Sequence, residues 1–195
     1  ILAPGSTEQG IWKAFVDRSD DDGKTWNKSQ EVEISQLEYK SGERTVGKDD
    51  SSIPVSEQSF YGRGVIQPTL WESIPDQVHM LLRSTEGMIY RSDSKDGGDT
   101  WTEAYATELP NNNSGIDMIR SEDGKLFLVY NPVGVNWGDR TPISLAVSKD
   151  DGKTWEKIRD LSTGEGEFAY PAIIQDEDFL YITYTYKRKN IAFWK

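Results

Sequence analysis

The sequence predicts an all-β chain of short antiparallel sheets, about four strands to a sheet, and three observations predict it. One eight-residue pattern, Ser-x-Asp-x-Gly-x-Thr-Trp, occurs three times, over 19–26, 94–101 and 148–155. Each copy stands between short apolar or alternating runs of strand length. The pattern itself has the chemistry of a tight hairpin. Asp21, Asp96 and Asp150 can fold their carboxylates onto nearby backbone N–H groups. Gly23, Gly98 and Gly152 supply a positive φ without a Cβ clash. Trp26, Trp101 and Trp155 are expected to bury a large ring where the returning strand begins.

Aligned on these turns, the chain divides into four strand groups. The first holds 1–4 and 12–17 before its turn and 31–35 after it, one strand short of four. The second holds 66–72, 78–83 and 88–92 before the turn and 103–107 after it. The third holds 116–120, 126–130 and 143–147, then 157–160. The last has 169–175, 180–184 and 191–193 and no turn motif. The sheets are therefore expected to hold three, four, four and three strands, within approximate limits 1–40, 60–109, 113–163 and 166–195. The stretch 45–61, rich in Ser, Gly and charge, reads as a connecting loop.

Composition narrows the classes of function. The chain has 195 residues, seven Trp, 17 Gly and no Cys, which excludes disulfides, thiolate metal sites and cysteine nucleophiles. A net charge of −11 argues against nucleic acid, which needs a basic groove. It leaves room for an anionic sugar, because a few placed arginines can reverse the local field. No run approaches the roughly 20 apolar residues of a membrane span. The acids of the turn motif lack the bidentate Glu of a calcium loop. Neither a metal nor a cofactor is expected.

The turn pattern resembles the Asp-box, or BNR, repeat of sialidases and other β-propellers. From about Gly64 onward the resemblance extends to the sialidase-like (neuraminidase) branch, carried by segments 108–117, 126–131, 165–175 and 181–189. It implies a six-bladed β-propeller, of which this chain would form about four blades. Turn spacings of 75 and 54 residues put such a ring near twice this length. The chain is therefore expected to be the C-terminal part of a larger propeller, its open sheet edges covered by N-terminal blades; closure by self-association is the alternative.

In such a ring the box hairpins lie on one face, and the loops joining second to third strands lie on the other. Gln67 and Tyr170 begin first strands, Arg83 and Asn131 end second strands, and Arg140 sits in the loop after Asn131. All five are expected on the face opposite the boxes, with Arg83, Arg140, Gln67 and Asn131 as the candidates for substrate binding. The loop 110–115 joins them, with Asp117 just inside the next strand. By resemblance, Arg83 and Arg140 match two of the three arginines that hold a sialidase substrate's carboxylate, and Tyr170 matches the nucleophile. Gln67 stands where sialidases keep the Glu that activates the Tyr, and an amide cannot accept a proton as a base. The first Arg and the acid/base Asp of the family would lie in the absent blades.

Other polar residues read as structural. His79 is a packed or edge residue, Glu165 and Glu167 are solvated loop charge, and Lys187, Arg188 and Lys189 form a solvated turn. Tyr181, Tyr184 and Tyr186 are packing, while Tyr170 stands between nucleophile and core aromatic. The resemblance implies a secreted or periplasmic exo-glycosidase, a hydrolase of terminal acidic sugars on glycans, with this segment expected to be inactive by itself. The alternative is a non-catalytic carbohydrate- or protein-binding propeller.

Overall fold

The computed structural model describes residues 1–35 and 63–195, so the expected loop at 45–61 lies outside the described residues. Fourteen strands and no helix are found there. They are β1 (Leu2–Thr7), β2 (Lys13–Arg18), β3 (Asn27–Lys28), β4 (Val65–Ile74), β5 (Gln77–Ser84), β6 (Met88–Ser94) and β7 (Tyr105–Pro110). After them come β8 (Asp117–Arg120), β9 (Leu126–Tyr130), β10 (Ile143–Ser148), β11 (Glu156–Ser162), β12 (Phe168–Asp176), β13 (Phe179–Tyr186) and β14 (Asn190–Trp194). All pairing is antiparallel between sequence neighbours, in sheets of three, four, four and three strands. Each four-stranded sheet carries its Asp-box between its third and fourth strands, as expected.

The first sheet departs from expectation after its box. Only Asn27–Lys28 continues as a strand, and 31–35 touches the sheet through a single bridge, Ala14 to Val32. Ser29 is the reason. Its backbone N–H bonds the Val16 carbonyl at 2.8 Å while its hydroxyl accepts the Val16 N–H at 3.0 Å, so the chain bulges before Val32 rejoins.

Stacking of the sheets explains the strand sequences. Three apolar cores lie between successive sheets. Met80 and Leu82 of β5 pack toward Ala14, Val16 and Val32 of the first sheet. Leu81, on the opposite face of β5, joins Met118, Leu126 and Leu128 of the third sheet. Val129 of β9 then turns to Phe168, Ile173 and Tyr184 of the fourth. Because strand side chains alternate in direction, a middle sheet covered on both faces must be apolar in both registers. The uninterrupted burial of Val78–Ser84 and of β10 follows.

The boxes do more than turn the chain. In the third box Asp150 accepts hydrogen bonds from Thr154 N–H at 2.9 Å and Thr154 Oγ1 at 2.6 Å, as its local role requires. The same turn docks on the second sheet. Trp71 Nε1 donates to Asp151 Oδ1 at 2.8 Å, and Arg91 donates to the Asp151 carbonyl at 3.0 Å. In the second box, Arg18 of the first sheet donates to the Asp96 carbonyl at 3.1 Å. Side chains of the preceding sheet also cap the box tryptophans: Gln30 accepts Trp101 N–H and Glu108 accepts Trp155 N–H, both at 3.3 Å. Trp26 corrects the expectation that every box ring is buried. It is 45% exposed: among the described residues, no neighbouring sheet docks on the first box as the first and second sheets dock on the later two.

His79 is packed, as expected, and belongs to the same seam. Its Nδ1 meets Asp93 at 2.5 Å and its Nε2 meets Ser73 Oγ at 2.8 Å. Asp93 also accepts from Arg91 and from Tyr105, at 2.9 and 2.6 Å. Burial raises the Asp93 carboxyl, but the hydrogen bonds from His79, Tyr105 and Arg91 outweigh it and hold the group well below the usual carboxylate range.

Two predictions follow from the boxes. At Gly152, φ is +76° and an added Cβ would lie 3.1 Å from both the Trp71 ring and the Arg91 guanidinium. At Gly164, φ is +94° with open space around the same position. Gly152→Ala is expected to lower the denaturant midpoint by an amount equivalent to about 1–2 kcal/mol, and Gly164→Ala by about half as much. Equal losses would show that docking on Trp71 is not what the glycine serves.

The second prediction concerns acid. The carboxyls of Asp96 and Asp150 are lowered from 3.8 to about 2, first by their Thr100 and Thr154 hydroxyls, and that of Asp21 to about 2, first by the Thr25 N–H. A depressed folded-state pKa gives stability that is complete above 3.8 and is lost as pH falls through about 2. Thermal melts should therefore show a falling Tm across that window. Asp96→Asn with Asp150→Asn should flatten this limb; an unchanged slope would refute the assignment.

Candidate functional site

Arg83, Gln67, Arg140 and Tyr170 come together on the face opposite the boxes. Arg83 ends β5, only 4% exposed. Its Nε donates to Asn113 Oδ1 at 2.9 Å and its NH1 to Gln67 Oε1 at 3.0 Å. Burial pushes the guanidinium down to about 10, against the opposing pull of Tyr170, and it remains a cation at neutral pH. Arg140 is half-buried with its guanidinium carbon 5.1 Å from the centre of the Tyr170 ring. Its carbonyl accepts the Phe168 N–H at 2.8 Å, which fastens it to the strand that carries Tyr170 two residues later.

Tyr170 is 51% exposed, so the core-aromatic alternative does not hold. Burial raises its phenol, but the charges and hydrogen bonds of Arg140 and Arg83 outweigh that and bring it below 10. Tyr105 and Tyr130 move the other way, Tyr105 up to about 12, both through burial first. The phenol is thus half-exposed beside two guanidiniums that favour its ionised form.

Local backbone geometry aims these side chains. Gln67 and Tyr170 both precede a proline at the head of a first strand and both are left-handed, with φ of +51° and +53°. The pairing register shifts at each, between Ile66 and Thr69 and between Ala169 and Ala172. A non-glycine residue in this region carries strain, and a bulge there turns the side chain out of the strand's alternation.

A buried polar layer holds the arginines in place. Asn113 has φ +61° and passes its amide to Asn136 Oδ1 at 3.0 Å. Asn112 donates to the carbonyls of Gly138 and Asp139 at 3.1 and 2.7 Å, which fixes the loop just before Arg140. Asn131 corrects a sequence expectation. It was expected to contact substrate, yet it is fully buried and its amide donates to the Pro142 and Phe168 carbonyls at 2.8 and 2.9 Å. It braces the loop of Arg140 against the strand of Tyr170. Asp117 is likewise a brace: it accepts Thr69 Oγ1 at 3.2 Å and Ile173 N–H at 2.9 Å, joining β4, β8 and β12.

Glu8 is the residue that sequence reasoning missed. Its Oε1 accepts from Gln67 Nε2 at 3.1 Å, and its charge acts on Arg83. The loop between β1 and β2 joins the second and third strands of an incomplete sheet. The rule that placed Arg140 on the site face applies equally to Glu8.

The profile of the BNR repeat-like domain family matches residues 1–182. No curated protein matches the sequence. Among solved structures, a Dyadobacter fermentans DSM 18053 protein of unknown function is 20% identical, covers 89% of this chain and 41% of that one, and has a TM-score of 0.62. Trypanosoma rangeli sialidase is 14% identical over 94% of this chain and 27% of that one, with a TM-score of 0.64. The NanB sialidase of Streptococcus pneumoniae is 17% identical over 92% and 24%, with a TM-score of 0.58. The chain thus spans 24% to 41% of the length of these proteins. At such identities the likeness speaks for the fold, an all-β, sialidase-type β-propeller of which four sheets are present. With the family profile covering nearly its whole length, the chain belongs to the BNR repeat-like domain family.

Proposed function

We propose that the protein containing this chain is a sialidase-like exo-glycosidase that removes terminal acidic sugars from glycans outside the cytoplasm. The observation that carries the reading is the convergence of Arg83 and Arg140 on the Tyr170 phenol. Two planar guanidiniums, one of them braced by Asn113 and Gln67, suit a carboxylate that must be gripped in a fixed orientation. With that carboxylate across the guanidiniums, the phenol oxygen would bond to the anomeric carbon as the glycosidic oxygen leaves. The phenol proton would pass to a base and the leaving oxygen would take a proton from an acid, both from outside the residues described. A phenol is a suitable nucleophile there, because a carboxylate in its place would repel the anionic substrate. The Trypanosoma rangeli sialidase, also solved as a covalent intermediate with 2,3-difluorosialic acid, supports the chemistry by analogy. The neighbouring sheets of the ring supply the remaining catalytic groups.

A second reading has its own observation. Gln67 offers an amide where a base is needed, and its two hydrogen bonds go to Arg83 and Glu8. A site so wired would bind an acidic sugar without cleaving it. Turnover of a fluorogenic sialoside by the full-length protein separates the two. The enzyme reading expects hydrolysis that falls at least about a thousandfold in Tyr170→Phe. Binding of the sialoside without turnover selects the second reading, and activity unaffected by the substitution removes the nucleophile assignment.

The lowered phenol can be read without substrate. Ultraviolet difference titration should show one tyrosine ionising below 10, absent in Tyr170→Phe and moved upward in Arg140→Gln. If Tyr170→Phe leaves the earliest step of the titration in place, the two guanidiniums do not act on that phenol.

A further inference from the structure

The turn at Lys187, Arg188 and Lys189, three successive cations in a chain of net charge −11, joins β13 to β14 at the end of the sheet where Tyr170 stands. The register places Phe168 opposite Tyr186 and Ala169 opposite Thr185, so the turn lies beside the strand entrance that leads to Tyr170. The turn is solvent-exposed, as expected, but it is tied down. Lys187 and Arg188 are both left-handed, with φ of +54° and +53°, a conformation that hairpins usually assign to Gly or Asn. The Lys187 N–H donates to the Glu167 carbonyl at 2.7 Å, and the Lys189 N–H to the Tyr186 carbonyl at 3.1 Å. An added Cβ on Gly166 would meet the Lys187 stem at 2.9 Å, so that stem lies directly across the loop. Arg188 Nε pairs with the Glu167 carboxylate, and its terminal nitrogens have no partner among the described residues. Backbone strain at two successive basic residues, in a turn tied to Glu167 by the Lys187 N–H and by the Arg188 guanidinium, has a use if the tip must present charge at a fixed place.

We propose that Arg188 and Lys189 form a second anion subsite next to the Tyr170 site, taking an anionic substituent on the residue that follows the terminal acidic sugar. This rests on the reading of that site as an acidic-sugar site. The shared chemistry is an oxyanion, from a carboxylate or from a sulfate ester. Arg188 presents the unpartnered end of its fork, and Glu167 competes for the same guanidinium.

Calorimetry on the full-length protein, carrying Tyr170→Phe to prevent turnover, compares three probes: sialyllactose, disialyllactose and sialyllactose sulfated on galactose. The second anion should tighten binding about five- to tenfold. Disialyllactose and the sulfated probe distinguish carboxylate from sulfate as its source. Arg188→Gln with Lys189→Gln should abolish that gain and leave sialyllactose affinity within about twofold. Glu167→Gln, which removes the competing carboxylate, should enlarge the gain. Sialyllactose binding with no gain from either second anion overturns the subsite alone, as does a gain that survives both substitutions. Failure of all three probes to bind overturns the acidic-sugar reading and the subsite with it.

Discussion

Every feature of this molecule depends on how one sheet is fastened to the next. A four-stranded sheet with two apolar faces cannot stand alone in water, and Met80 and Leu82 face one way while Leu81 faces the other. Apolar packing brings the sheets together but is non-directional, so it does not set their angle or height. The directional contacts are polar and sit at the boxes and at the inner strands. Arg18 to Asp96, and Arg91 and Trp71 to Asp151, fix one end of each seam. Asp117 fixes the inner end by bonding two neighbouring sheets through one carboxylate.

With the seams fixed, the opposite face has no freedom in where its loops fall. That matters because Arg83 is a buried cation, and burying an unpaired charge is expensive. The desolvation is offset by neutral acceptors, Asn113 and Gln67, and by the phenol oxygen of Tyr170. Its direct acceptors are neutral and leave the positive charge in place, while the Glu8 carboxylate acts on it from beyond Gln67. The run Asn111, Asn112, Asn113 and Ser114 serves this purpose: each is essentially buried, and their amides and hydroxyl satisfy one another and the loop of Arg140. The two arginines are thus held in place by a layer of side chains that carries no net charge itself.

The strand count and the site face were legible because hairpin chemistry is local. Ser, Asp, Gly and Trp at fixed spacing dictate a turn whatever surrounds it, and the turns then set which loops share a face. What escaped depended on contacts between distant segments. Asn131 looked like a ligand-facing residue at a strand end, and nothing local reveals that the Pro142 and Phe168 carbonyls need its amide. The exposure of Trp26 turns on what packs against its box, which the box sequence does not encode. Glu8 lay in a loop of the incomplete sheet, where the strand register that identifies a site-facing loop is hardest to count. Pro68 and Pro171 did carry an unused local signal, since a proline within a sheet is confined to an edge, a strand start or a bulge, and the register shifts at both.

Gln67 ties the two functional readings together through charge. Its carbonyl accepts from Arg83 while its amide nitrogen donates to Glu8. A glutamate at this position could keep the first bond but would face Glu8 as a like charge. The amide and Glu8 are therefore mutually compatible, and a change in one alters the demand on the other. An amide also leaves Arg83 and Arg140 a stronger field toward an incoming carboxylate than a glutamate would. The residue that removes a base from the position beside Tyr170 is thus the same one that preserves the grip on an anion. Both proposed readings use the same arginine geometry, and only the fate of the Tyr170 proton divides them.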